Sequence, residues 1–311
     1  RTPVTMMLYR SSGTQGGVNL IAAFELPVGE SRTIEVISFF TPQDLFYPAP
    51  ADHDSQPDGR NVFASAGAKN YKGEGLAIKW LKIEGPLEDQ WPPERTRRVL
   101  HGVKFKQRQA RPWTFDIELT KSPREHLNDI IQHLGPLAFR RPLAKGEAEG
   151  LLRLAESSLD DPFEELVRVP LLAMFSSPQF LFHAGDPGQL DDYSLAARLS
   201  YFLWKSLPDD QLFHLAAENK LHEADVLAGQ VDRMLDDEKS DRFLHDFLDQ
   251  WLELRDIDAT TPDEKLYPEY DDVLRQAMLD ETRRFFRELI TENLSVRNLI
   301  DSGFIFLNRR L

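Results

Sequence analysis

Asp191-Asp-Tyr-Ser-Leu-Ala-Ala-Arg-Leu-Ser-Tyr-Phe-Leu-Trp-Lys-Ser-Leu-Pro-Asp-Asp-Gln-Leu212 is the stretch that decides the fold class. From Tyr193 to Trp204 nearly every position is apolar or aromatic, so no polar stripe is left to face water. A helix that is apolar all round is a buried one, and about a dozen residues are too few to span a bilayer. The pattern predicts a buried central helix over residues 193–204, with later helices packed around it.

Outward from that helix, helical signals continue in both directions. Downstream, Pro208 with Asp209 and Asp210 opens a short helix to Asn219, its acids suited to the positive end of the helix dipole. Helices over Glu223–Leu235 and Lys239–Leu254 follow. The second carries Phe243, Phe247 and Trp251 beside Leu244, Leu248 and Leu252 on two adjacent rows. An acidic loop from Asp256 to Asp272 leads to a long helix over Pro268–Glu292, and a short one begins at Ser295. Upstream, helices are predicted over Arg124–Ala138, over Lys145–Ser158 and from Asp161 to Phe175, the last interrupted by Pro170. The helical half opens at Ser122-Pro-Arg-Glu125, which reads as a capping box with proline at the first helical position.

Residues 1–120 read differently. Val4–Tyr9, Val18–Leu26 and Thr33–Phe40 are short β-branched and aromatic runs separated by glycine-rich turns. Leu76–Gly85 and Trp113–Leu119 alternate as half-buried strands, and Thr41–Gly75 reads as a long polar loop. These features predict a β-sandwich, jelly-roll-like and incomplete at its ends. The expected architecture is therefore α+β in separate domains: a sandwich over 1–120 and a helical domain over 122–311. The latter divides into a first unit over 122–183 and a main unit over 190–311.

Composition narrows the functional classes. The chain has 311 residues and a net charge of −14, which is uneven. To His133 there are 17 basic and 16 acidic residues; from Leu134 there are 20 and 35. Nucleic acid is not expected as a partner of the acidic half, because phosphate binding needs a net basic face. There is no cysteine, which removes disulfides, thiolate metal sites, cysteine nucleophiles and covalent haem attachment from this stretch. No apolar run is long enough to span a membrane. Opening at Arg1 and closing on the apolar Gly303–Leu311, the sequence reads as a piece of a longer chain.

Few polar residues stand out. Arg198 lies on the central helix and Glu281 on the apolar stripe of the last long helix, with Leu274, Met278, Phe285 and Leu289. Two such charges are expected to form a buried ion pair, structural or, if they border a cleft, a site with a shifted carboxylate. Asp54 and Asp58, followed by Gly59, offer oxygen ligands spaced like the start of a calcium loop. Ser65 occupies the position where an EF-hand needs glutamate, so a solvated turn is the competing reading. Tyr71 and Trp91 are candidates for a sugar-stacking platform, whereas Trp80, on an alternating strand, reads as core. The histidines show no metal-ligand spacing, and no nucleophile-elbow, phosphate-loop or dinucleotide motif is present.

Several motifs in the helical half form an ordered series: Phe139-Arg-Arg-Pro-Leu143, Ser176-Ser-Pro-Gln-Phe-Leu-Phe182, Ala197-Arg-Leu-Ser-Tyr-Phe-Leu-Trp204 with Leu207-Pro-Asp-Asp210, Gln250-Trp-Leu252 and Phe306-Leu-Asn308. In that order they resemble domains of large multidomain proteins abundant in planctomycetes and their relatives. Those proteins join a cytochrome-c-like haem domain to several domains of unknown function. Upstream, Gly75–Leu87 followed by Trp91-Pro-Pro93 resembles the segment that closes a carbohydrate-binding-module-like sandwich in that family. Ala144 departs from the family, which usually has a helix-capping Thr or Ser there.

The resemblance implies an exported protein, periplasmic or at the cell surface, with its haem in a cytochrome-c-like domain elsewhere in the same full-length chain. It supplies no catalytic residues. The expected role is non-catalytic: polysaccharide binding through the sandwich, with the helical domain as scaffold or docking surface. No cofactor is expected within the chain itself, calcium excepted. The alternative is part of a haem-dependent oxidoreductase acting on polysaccharide or its breakdown products.

Overall fold

Ser122 starts the helical region as its sequence requires. Its hydroxyl accepts the Glu125 amide hydrogen, and the Glu125 carboxylate accepts the Ser122 amide in return, opening a helix over Pro123–Phe139. The structure is a computed structural model and describes residues 4–12, 18–41, 43–50, 77–85, 87, 90–108, 111–183, 188–257, 259–260, 262–263, 265–267, 269–308 and 311. Five strands are described: β1 (Val4–Ser12), β2 (Val18–Leu26), β3 (Asp44–Pro50), β4 (Lys104–Arg108) and β5 (Arg111–Glu118). The helices are α1 (Glu94–Val99), α2 (Pro123–Phe139), α3 (Glu147–Leu154), α4 (Phe163–Ser176), α5 (Pro178–Leu181), α6 (Asp192–Leu203), α7 (Asp210–Ala217), α8 (Ala224–Asp236), α9 (Asp241–Trp251) and α10 (Asp272–Thr291). Short 3₁₀ turns lie between some of them.

The chain forms two compact units. One comprises residues 83–243. Its first core gathers Leu127, Ile130 and Ile131 of α2, Leu151 and Leu152 of α3, and Leu166, Val167 and Met174 of α4. The β4–β5 hairpin packs Phe105, Ile117 and Leu119 against these helices. A second core forms where α6 meets α7 and α8, with Ala196, Leu203 and Trp204 against Leu212, Ala216, Leu221 and Met234. Trp204 is 1% exposed and donates its indole N–H to the Met234 carbonyl at 2.9 Å. Arg233 and Lys239 lie over its ring, and Arg233 also bonds the capping carboxylate of Asp209.

The other unit joins residues 1–82 to residues 244–311. Its sheet has β1 in the centre, antiparallel to β2 on one side and β3 on the other, with a bulge between Leu8 and Tyr9. Pro48 is tolerated because β3 is an edge strand and need not donate outward. Tyr9, buried in β1, donates its hydroxyl to Asp272 in the first turn of α10 at 3.0 Å. Burial, then the Asp272 charge and hydrogen bond, raise the phenol well above its ordinary pKa. Further along α10, Phe285 and Phe286 join a row of rings running from Phe247 and Trp251 to Phe304 and Phe306.

Several expectations need correction. Among the described residues the strands form a three-stranded sheet and a separate hairpin in different units, and Ile117 and Leu119 cover helices rather than an opposing sheet. Thr33–Phe40 is not a strand despite its composition. Both edges of β1 are already paired, and β3 lies within the expected Thr41–Gly75 loop. Residues 77–85 have no ladder either, and Trp80 is 64% exposed instead of core. Without a partner strand, β propensity alone does not make a ladder. The central helix is not buried all round: Ala196, Ala197, Ser200 and Leu203 face inward, while Arg198 and Phe202 are exposed. No helix among the described residues is long and apolar enough to cross a membrane.

Candidate functional site

Arg140 follows the last turn of α2 in the left-handed region, with φ of 58°. This conformation turns the chain back and aims the guanidinium at the end of α5. There it donates to the carbonyls of Gln179, Phe180 and Phe182, and it is only 6% exposed. Helix C-termini carry unsatisfied carbonyls and a partial negative charge, so a cation is well placed there. The ring of Tyr201 on α6 lies 5.6 Å from the same guanidinium. Arg140 thus ties α2, α5 and α6 together.

Its neighbour Arg141 forms two parallel bonds with Glu147, at 2.8 and 2.9 Å. Arg141 also reaches the Gln179 side-chain carbonyl at 2.8 Å. Glu147 additionally accepts the Ala144 amide at 2.6 Å. The Arg141 bonds, offset by burial and reinforced by the Ala144 amide, bring the Glu147 carboxyl down to about 2.

Beyond these arginines opens a pocket of about 310 Å³. Phe139, Arg140 and Arg141 form one wall, Gln179, Phe182 and His183 another, and the first turns of α6 the third. The α6 wall comprises Asp191, Tyr193, Ser194, Ala197 and Arg198. Asp191 is committed to capping: its carboxylate accepts the Ser194 amide at 2.7 Å. His183 packs edge-on against Tyr201 with centroids 4.6 Å apart. Desolvation, then the charges of Arg140 and Arg198, lower its pKa, so the imidazole is neutral at pH 7. Arg198 is exposed and, among the described residues, has no hydrogen-bond or ion-pair partner.

A larger opening of about 540 Å³ lies in the other unit, bordered by β2 and α10. Its lining includes Glu25 and Asp280 but no basic residue and no histidine among those described. The arginine-lined pocket has the richer chemistry and is the candidate site.

Two family models match the helical half. Residues 126–184 match PSD5, a protein of unknown function (DUF1595), and residues 190–311 match PSD4, a protein of unknown function (DUF1592). The first match covers 59 and the second 122 of the 311 residues, so each likeness belongs to its own segment. PSD5 and PSD4 are the planctomycete-type domains to which the sequence motifs point. No curated protein and no solved structure matches the chain. The candidate pocket takes two of its walls from PSD5 and the third, with Arg198, from PSD4. Three of the quoted motifs meet there: Phe139–Leu143, Ser176–Phe182 and Ala197–Trp204.

The residues singled out from sequence fall in different parts of the chain. Arg198 lines the pocket but is exposed rather than buried. Glu281 is half-buried on α10, in the other compact unit, where it accepts from Thr282 at 3.5 Å. Trp91 is half-buried, its carbonyl takes a bond from Arg97, and its indole N–H is enclosed without a partner among the described residues. Asp54, Asp58 and Tyr71 lie outside the described residues. Among the described residues no three acidic or histidine side chains gather as a metal site. Arg140, Arg141 and His183 were missed. The available signal was the adjacent arginine pair at a helix end, with Glu147 six residues beyond the second.

Proposed function

We propose that this chain is the non-catalytic, ligand-binding segment of an exported, cytochrome-c-associated multidomain protein, and that the PSD5–PSD4 pocket holds an extracellular polysaccharide. The helical domains act as a docking surface, and the haem belongs to another part of the same protein. The lining of the pocket carries this reading. Phe182 and Tyr193 offer aromatic faces for a pyranose ring, and Gln179, Ser194 and Arg198 offer polar groups for hydroxyls. Cleaving a glycosidic bond usually takes two flanking carboxylates. The one carboxylate in this lining, Asp191, is spent on a helix cap. Such a pocket is suited to holding a sugar rather than hydrolysing it.

The test is retention of the chain on insoluble polysaccharides, comparing the parent with Phe182→Ala. The Phe182 ring is 64% exposed, so its removal leaves the fold intact. Retention by the parent and a loss of roughly fivefold or more in the variant is expected; no retention of the parent on any polysaccharide overturns the reading. Tyr71, Trp91 and a calcium-assisted turn at Asp54 and Asp58 remain a proposed second contact, and retention that a chelator abolishes would assign it.

His183 favours a second reading, in which the pocket is the substrate site of a haem-dependent oxidoreductase. A neutral imidazole beside two guanidiniums is equipped to take a proton from a sugar hydroxyl. In the full multidomain protein, His183→Gln would then abolish turnover while leaving retention unchanged; unchanged turnover excludes the role.

A further inference from the structure

We infer that the pocket selects a sugar-acid unit carrying a single charge, within a polysaccharide, with the carboxylate of that uronic-acid unit bound by Arg198. This rests on reading the pocket as a polysaccharide-binding site and adds the charge of the ligand. The three lining arginines differ in what they have left to give. Arg140 engages both terminal nitrogens with three carbonyls, so it contributes positive potential but no open fork of two terminal nitrogens. Arg141 is committed to Glu147 and Gln179. Arg198 keeps its donors, exposed at the pocket and without a partner among the described residues.

The local charges set the valence of the ligand. Three guanidiniums face two carboxylates, Asp191 in the wall and the Glu147 bound to Arg141, which leaves one positive charge in excess. His183 adds none, because desolvation, then the charges of Arg140 and Arg198, keep it neutral. One excess charge and one open planar fork match one carboxylate, which guanidinium binds through two parallel bonds. A phosphate dianion would leave a negative charge unbalanced at the wall. The aromatic faces of Phe182 and Tyr193 favour a ring beside that carboxylate over a bare ion. The chain as a whole carries −14, so its overall field repels an acidic polymer and selectivity has to come from this pocket.

Calorimetric titration of the full chain with an oligogalacturonate, its neutral galactose counterpart, inorganic sulfate and inorganic phosphate tests the assignment. The expected result is at least tenfold tighter binding of the oligogalacturonate than of the neutral oligomer or either inorganic ion. Arg198→Gln should weaken the oligogalacturonate at least tenfold and the neutral oligomer far less, with an unchanged melting temperature. An unchanged affinity in Arg198→Gln overturns the inference. Equal affinities for acidic and neutral oligomers, both lost in Phe182→Ala, overturn it while leaving the pocket as a polysaccharide site. If sulfate or phosphate binds as tightly as the oligogalacturonate, the sugar-acid assignment falls. If neither oligomer binds, the inference and the reading beneath it fall together.

Discussion

Glu147 is the carboxylate whose ionisation matters most to the helical unit. Its folded pKa of about 2 lies below the unfolded value of roughly 4.3, so its stabilising effect is fully present above pH 4.5 and lost as the pH falls towards 2. Its side chain is 22% exposed, and after allowance for solvent screening the effect is about 1–2 kcal/mol at pH 7. Urea unfolding of Glu147→Gln should show that deficit at pH 7, narrowing below pH 4.5 and vanishing near pH 2. A deficit as large at pH 3 as at pH 7 would place its origin elsewhere. His126 is a second residue whose hydrogen bonds hold the backbone in place. It is fully buried, and its Nε2 accepts the amide hydrogens of Thr120 and Lys121 at 2.9 and 3.1 Å. His126→Ala strands both donors and opens a cavity, so about 2–4 kcal/mol should be lost in the same unfolding measurement. Neither role was legible beforehand. A histidine or glutamate on a helix looks the same in sequence whether it bonds water or a backbone amide from an earlier turn.

At the scale of elements, helices were readable because their start signals are local, although the last long helix, expected from Pro268, starts four residues later at Asp272. Ser122, Asp191, Asp209, Asp271 and Ser295 each accept an amide hydrogen in the turn they open, and each stands before an apolar period. The helix α3 shows what happens when such a signal is incomplete. Its Glu147 reaches back to the Ala144 amide, but the Glu147 amide is taken by the Ala144 carbonyl at 3.1 Å instead of a side-chain hydroxyl, and the helix starts after Gly146 at φ of 87°. Ala144→Ser adds a side-chain acceptor and completes the capping box. About 0.5–1 kcal/mol of stabilisation is expected, read as a rise of roughly 1–3 °C in melting temperature. A lowered melting temperature would mean that the turn at Lys145 and Gly146 cannot bring the hydroxyl to the Glu147 amide. Strands were less legible for the opposite reason. Whether Thr33–Phe40 or Asp44–Pro50 pairs with β1 depends on which segment reaches its edge, and that is decided far away in the chain. The pocket follows the same logic. Its walls are local motifs, but only the left-handed turn at Arg140 shows that they converge.

For the whole molecule, the division into units matters more than the list of elements. The unit containing β1 is assembled from residues 1–82 and residues 244–311, and the Tyr9–Asp272 bond is one of its links. Removing residues 1–50 should therefore abolish amide hydrogen-exchange protection in α10 while the protection of α2 and α6 persists. Protection of α10 that survives the truncation would show that its helix stands without the sheet. The PSD4 match spans both units, so the family boundary and the packing boundary do not coincide. One consequence concerns biosynthesis. A ribosome adds roughly 5–20 residues per second, so on the order of ten to forty seconds separate the emergence of β3 from that of α10. Throughout that interval the first strands must wait outside the exit tunnel with their intended cover still untranslated, which makes the nascent chain a natural client for chaperones that shield unpaired strand edges.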